Sequence, residues 1–484
     1  MRICVIVEGC YPYVVGGVSS WVHNLIRSFP KQEFVILSIV VDRSWRGKFV
    51  YDLPDNVTEV HELYLEDSDW GKKKKRHKKR MDKKEYHALR SLLLNQQVEW
   101  ETLFDLFQYE NFSISDLLMG EDFLKAVTEY YNLSYSQIIF SDFLWTMRSI
   151  YLPLFLTLKM KLPKADLYHS LSTGYAGVLG SMAKHIHGGR LLVSEHGIYT
   201  REREEELIKS KWIQGIYKNI WIEQFRKMSQ LAYTKGSLIT SLYEHARELQ
   251  IELDCPPEKT MVTPNGVSVR NFQRIPGKQE EDEGKINVGA VLRISPIKDV
   301  KTMIQAFGFA KEQEPALKLW IMGPWEEDKE YAQECFELVD AMNLQDVVFT
   351  GKINVKDYLG RMDMTLLTSI SEGQPLSILE SFAAGIPVIA TDVGNCRGLI
   401  LGDRDDYGSA GIITHIMNVE EITAAILKLA HNESMRHEMG SIGLQRVKTS
   451  YEAEQMRETY RNIYCDFASS MGLAWKDENT KQKQ

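Results

Sequence analysis

An α/β fold with two doubly wound, Rossmann-like parallel sheets is predicted for this 484-residue chain by three observations. Short runs that are apolar on both faces alternate with helix-like stretches in both halves. The length exceeds what a single core accommodates. A turn signal, Pro264-Asn265-Gly266, and a polar, acidic stretch, Pro276–Gly284, separate the halves.

The amino half opens with a strand over Arg2–Val7, a turn at Gly16-Gly17, a helix over Ser19–Ser28 and a strand over Phe34–Val40. Residues 42–160 break the alternation with a basic run, Lys72 to Arg80, and helix-like sequence rich in Leu, Phe and Tyr, which predicts a mainly helical insertion. Strands resume at Leu167–Ser170, Leu191–Ser194, Leu238–Ser241 and Met261–Thr263, with a helix over Ala176–His187. The boundary is expected near 270–284, giving a first domain over 1–275 and a second over 285–452. In the second, strands are predicted at Ile286–Leu292, Leu317–Met322, Val347–Thr350, Met364–Thr368, Val388–Thr391 and Gly411–Thr414. Helices fall between them at Val300–Gln313, Glu326–Asn343, Val355–Arg361, Leu376–Ala384 and Val419–His431. Within 453–475, Met456, Tyr460, Ile463, Tyr464 and Phe467 share helical spacing, so a last helix is expected to pack back on the first domain. The tail from Lys476 reads as disordered.

Composition narrows the function. A net charge of -8 argues against nucleic acid as the main partner. The six cysteines are scattered without a C-x-x-C pair, which points to buried thiols in a reducing cytoplasm. The amino terminus is apolar only as far as Glu8, as a first strand rather than a signal peptide would be. No run approaches the roughly 20 apolar residues of a membrane span. A soluble cytoplasmic protein is expected, with peripheral attachment at the inner face of the membrane as a further option for the basic run.

The stretch Ser371–Glu380 places Glu372 and Glu380 eight positions apart across a strand-to-helix turn. Pro375 is read at the first helical position, and Gly385 with Pro387 marks the helix end. Backbone N–H groups at such a turn point at an anion, and carboxylates hold hydroxyls. Gly373, Gln374, Pro375, Leu376 and Ser377 line the turn, a geometry that suits a sugar nucleotide. Two facing domains would make a cleft, and three further elements are expected to point into it. Gly16-Gly17 lets backbone approach a phosphate or an acceptor, although such pairs are often plain tight turns. Arg293 and Lys298 flank the loop after the second domain's first strand, where two cations would steady a diphosphate leaving group. Taken alone they would be ordinary surface cations. His196 follows a strand and precedes a glycine, placed to touch a sugar hydroxyl or assist an acceptor, although a lone histidine is more often structural.

Glu372-x₇-Glu380, the Arg293/Lys298 loop, Asn265-Gly266-Val267 and Gly16-Gly17 resemble family 4 of the retaining, GT-B-fold glycosyltransferases. The stretch Glu195–Glu204 and the long first domain are similar to the PelF branch, cytosolic transferases of Pel exopolysaccharide synthesis. The resemblance implies that Arg293 and Lys298 hold the nucleotide diphosphate, Glu380 the ribose hydroxyls and Glu372 the hydroxyls of the transferred sugar. It further implies that amides around Gln374–Ser377 help to bind sugar and phosphates, and that His196 contacts the sugar from the opposite domain. No metal ion or other cofactor is implied. The implied partners are a UDP-linked nucleotide sugar, a glycan acceptor and a membrane polysaccharide synthase. Asp299, Gln374 and Asn395 depart from the pattern, where glycine, an apolar residue and a second glycine are frequent. Asp67-x-Asp69 and Asp403-x-Asp405 mimic a metal-binding D-x-D and are read as solvated carboxylates. A sugar-nucleotide epimerase, a glycan phosphorylase and a membrane- or RNA-binding subunit working through the basic run are the rival readings.

Overall fold

The computed structural model describes residues 1–41, 43–65, 80–210 and 215–476. The chain divides into two compact units, one of Met1–Val262 with Arg461–Gln484 and one of Thr263–Tyr460.

The first unit holds seven strands: β1 (Arg2–Glu8), β2 (Glu33–Val40), β3 (Val57–Tyr64), β4 (Leu167–Ser170), β5 (Arg190–Glu195), β6 (Leu238–Ser241) and β7 (Thr260–Val262). They pair in parallel in the order β3-β2-β1-β4-β5-β6-β7. The second unit holds β8 (Ile286–Val291), β9 (Leu317–Met322), β10 (Val347–Gly351), β11 (Met364–Leu367), β12 (Val388–Thr391) and β13 (Gly411–Thr414). Their order is β10-β9-β8-β11-β12-β13, again parallel. Two parallel-sheet, Rossmann-like units are therefore present, as the alternation predicts. Along β9 the side chains divide between two cores: Leu319 and Ile321 join one, Trp320 and Met322 the other. A sheet covered on both faces in this way needs strands that are apolar on both faces. In each sheet the order reverses beside the first strand, between β1 and β4 and between β8 and β11. Ligands of open α/β sheets bind outside the carboxyl ends at such a reversal.

Four expectations need correction. The predicted insertion over 42–160 contains β3, which pairs with β2 as the sheet edge. Its half-polar sequence, Val57–Tyr64, suits an edge strand and hides it from a search for apolar runs. Helices follow within the range, from Lys83–Leu93 to Phe140–Leu158. Lys227 Nζ, in the helix Gly215–Lys235, donates to Leu92 O at 2.7 Å and to Tyr151 Oη at 3.2 Å, tying the insertion to that helix. The change of unit falls at Val262/Thr263, ahead of the predicted 270–284, because Val267, Val269 and Phe272 already join a core of the second unit. The acidic stretch is docked rather than loose. Asp282 is buried and takes two bonds from Arg361, at 2.7 Å and 3.0 Å. Burial alone would raise that carboxyl, and the Arg361 pair holds it at about 2. Asp405 is not solvated either, being locked to the buried Arg446, whereas Asp403 is exposed as expected, with Tyr451 Oη donating to it at 3.1 Å. Asp67, Asp69, Lys72–Lys79 and the tail from 477 lie outside the described residues.

Candidate active site

β11 ends at Leu367, and Thr368–Pro375 then cross the carboxyl edge of the sheet before the helix Leu376–Ala383. Pro375, read as the first helical position, is instead the N-cap, φ -70 and ψ 118, so the helix starts one residue later, at Leu376. Gly385 closes the helix at φ +74, where a left-handed residue ends it without a Cβ penalty. β8 is the neighbour of β11, so the Arg293–Lys298 loop lies beside the Glu372 turn at the reversal of strand order.

Lys298 Nζ donates to Glu372 Oε1 at 2.5 Å, and Ser369 Oγ donates to the same oxygen at 2.5 Å. The pair is mostly buried, with side chains 19% and 10% exposed, so solvent screens it weakly. Asp299 shapes the loop by adopting the left-handed conformation, φ 47 and ψ 51, and its side chain caps the helix Val300–Gln313. That conformation explains why glycine is frequent here in the family pattern. Arg293 is not brought to Glu372: its guanidinium pairs at 2.6 Å with Glu327, and both side chains are about half exposed.

Glu380 lies in the fifth position of its helix, and its carboxyl has no hydrogen bond or ion pair among the described residues. Burial pushes its carboxyl up to about 7, and Lys356 offsets this only in part. A carboxyl left open and half-buried is poised to accept hydroxyl donors.

In the first unit His196 follows the last residue of β5. Burial lowers the imidazole to about 4, so it is neutral at pH 7. Its Nε2 has no partner among the described residues, and Trp21 meets the ring edge-on, 4.6 Å between centroids. His169 is a useful contrast, since its two nitrogens contact Tyr464 Oη and Ser194 Oγ, both at 2.8 Å. One histidine is structurally satisfied; the other is open. Gly16 precedes the helix Gly17–Arg27 in extended backbone that any residue adopts, with open space where a Cβ would be. Its local geometry therefore does not require glycine.

Sequence reasoning missed Ser369 and Glu8. Glu8 ends β1, burial raises its pKa, and it accepts from Tyr199 Oη at 3.1 Å. A carboxylate that closes an otherwise apolar first strand is the signal that could have found it.

Residues 1–258 match the model of a domain of unknown function, DUF3492, and residues 271–446 match that of the glycosyl transferases group 1. The chain belongs to the DUF3492 family. Its second unit carries a group 1 glycosyltransferase domain, which makes the chain a glycosyltransferase of the GT-B fold. It is similar to D-inositol 3-phosphate glycosyltransferase of Kineococcus radiotolerans, 24% identical over 64% of this chain and 80% of the relative. It is also similar to N-acetyl-alpha-D-glucosaminyl L-malate synthase of Bacillus anthracis, 27% identical over 39% of this chain. The chain spans 80% of the first relative's length but only 47% of the second's. Among solved structures, HepE of Anabaena with UDP and glucose superimposes at a TM-score of 0.62, with 15% identity over 96% of this chain and 100% of HepE. Sucrose-phosphate synthase of Thermosynechococcus elongatus gives 0.62 at 14% identity over 97% of this chain and 99% of the synthase. Among the described residues no helix is long and apolar enough to cross a membrane.

Proposed function

We propose that the protein transfers a hexose, with retention of configuration, from a UDP-sugar to a growing exopolysaccharide, as a PelF-like enzyme of Pel synthesis. The observation that carries this reading is the Lys298–Glu372 pair on the turn where the second sheet's strand order reverses, with the open Glu380 carboxyl in the helix that follows. Lys298 and Arg293 would meet the diphosphate, and an anion that draws Lys298 away frees Glu372 for sugar hydroxyls. Glu380 would take the ribose hydroxyls, and amides of the 373–377 turn the sugar and phosphates. The neutral, unpaired His196 Nε2 would contact the sugar, and the leaving phosphate would help to take the acceptor's proton. Gly16-Gly17 leaves backbone open to the acceptor. We further place the enzyme in the cytoplasm beside a membrane synthase. HepE, which binds UDP-glucose, supports the donor class by analogy of fold. The test is incubation with UDP-sugars and a glycan primer: UDP release with a lengthened glycan is expected. Release from no donor removes the reading, and donor conversion without acceptor would indicate an epimerase instead.

Glu380 gives this reading a pH signature. Its folded pKa is raised from the ordinary 4.5 to about 7. The protonated form is therefore favoured by the fold, and this contribution to stability is full below pH 4.5 and lost as pH rises through about 7. Ribose hydroxyls need the ionised form. UDP affinity is expected to be flat above about pH 8 and to fall toward tenfold per unit below 7, with Glu380→Gln flattening the profile. Calorimetric titrations across this range would check it; a wild-type affinity independent of pH removes the role given to Glu380.

A further inference from the structure

Three side-chain amides of the second unit are each more than nine-tenths buried, yet each leaves one polar atom unpaired among the described residues. The free atoms are Asn265 Oδ1, Gln374 Nε2 and Asn395 Nδ2. The residues sit on three separate turns, one just after Thr263, one at Glu372–Pro375 and one after β12.

Backbone bonds draw these turns together. Asn265 N–H donates to Gln374 Oε1 at 2.6 Å, and Asn395 N–H donates to Gly373 O at 2.8 Å. Gly394, at φ +52, lets the last turn lie against the Glu372 turn; a Cβ there would come within 2.2 Å of Glu372 O. The first bond also fixes which way the Gln374 amide faces. With Oε1 occupied, Nε2 remains a free donor.

Buried amide atoms are rarely left unpaired, so three in one loop cluster call for a partner that arrives from outside. The free set is two donors and one acceptor. A sugar hydroxyl or acetamido group is its complement, with lone pairs for both donors and one O–H or N–H for Asn265 Oδ1. An ionised phosphate oxygen has no proton to give and would face that oxygen unfavourably. We propose that Asn265, Gln374 and Asn395 form a subsite that reads one polar substituent of the transferred sugar and so sets donor specificity. This inference rests on the donor-binding reading above. It also gives a use to Gln374 and Asn395, the two departures from the family pattern that flank Gly373 and Gly394.

The test compares wild type with Asn395→Gly and Gln374→Glu. The second variant keeps an oxygen for Asn265 N–H but exchanges the free N–H group for a carboxylate oxygen and adds a charge; the first adds none. Each is assayed with UDP-glucose, UDP-galactose, UDP-N-acetylglucosamine and UDP-N-acetylgalactosamine, then with deoxy analogues of the preferred donor. Removing one ring substituent is expected to lower wild-type kcat/KM about tenfold or more. In both variants that discrimination should shrink to within about twofold, as in a double-mutant cycle between protein and ligand. Thermal midpoints show which variants fold, and two variants on different turns keep the test standing if one does not. Discrimination unchanged from wild type in every folded variant overturns the proposal and leaves the amides to ordered water. Absence of wild-type turnover with every donor would instead remove the donor reading itself.

Discussion

Glu372→Gln is expected to lower kcat/KM for glycosyl transfer about 100-fold to 1,000-fold while leaving the thermal midpoint nearly unchanged. The substitution keeps the volume and one acceptor oxygen but removes the charge that Lys298 and Ser369 hold in place at 2.5 Å. Little packing is lost, because the residue lies on a turn rather than in either core of the unit. Two consequences separate a catalytic role from a merely structural one. The loss should fall mainly on kcat, because the carboxylate acts on hydroxyls of the sugar whose bond is breaking. UDP affinity should hold or rise slightly, because Lys298 is no longer drawn to a carboxylate. Lys298→Met should show the opposite split, with UDP binding weakened. Initial rates across a donor titration, alongside calorimetry with UDP, would measure both. A Glu372→Gln enzyme within about threefold of wild type would remove the residue from the site.

The turn that carries Glu372 was legible because each of its signals is local. An apolar strand, Met364–Leu367, ends in Thr, Ser and Gly, and Gly385 with Pro387 closes the helix beyond. What stayed hidden depends on distant partners. The helix Glu433–Ser450 shows almost no apolar stripe, since Gly440 and Gly443 form its packed face. A Cβ on Gly440 would sit 2.0 Å from Gly385 O, so close approach of backbone replaces the hydrophobic periodicity that a sequence reading looks for. The stretch Pro276–Gly284 resembles a linker by composition, and the distant Arg361, with Lys318, turns Asp282 into an anchor. Arg293 shows the same limit. Its spacing from Lys298 points to a pair of cations on one loop, whereas its ion pair with Glu327, 34 positions away, is set by the fold. Of the three buried amides, Gln374 and Asn395 are legible as departures from a pattern and Asn265 as a match to it; their unpaired atoms are a property of the fold.

Arg446→Leu is expected to cost the second unit about 3–5 kcal/mol, the largest stability effect of any single substitution considered. The side chain is fully buried, and its five bonds leave no donor idle: two to the Asp405 carboxylate, both 2.8 Å, and three to carbonyls. Those carbonyls, Leu399 O, Ile400 O and Gly408 O, belong to the looped segment that follows β12. Leucine would leave the Asp405 carboxylate without its cation and withdraw a donor from three carbonyls, of which Ile400 O keeps the Ala410 N–H. A double replacement, Arg446→Leu with Asp405→Leu, should recover part of the loss, because the uncompensated charge is gone while the carbonyls still lack the guanidinium donors. Denaturant midpoints followed by a probe in the second unit would give both values; a loss below about 1 kcal/mol for Arg446→Leu would show that water replaces the guanidinium without penalty. The position of this anchor links stability to the site. The same segment begins at Asn395, whose N–H holds Gly373 O at 2.8 Å beside Glu372. Loosening it should therefore weaken donor binding at temperatures where the unit is still folded, an effect that Lys227→Met, in the other unit, should not reproduce even at equal loss of stability.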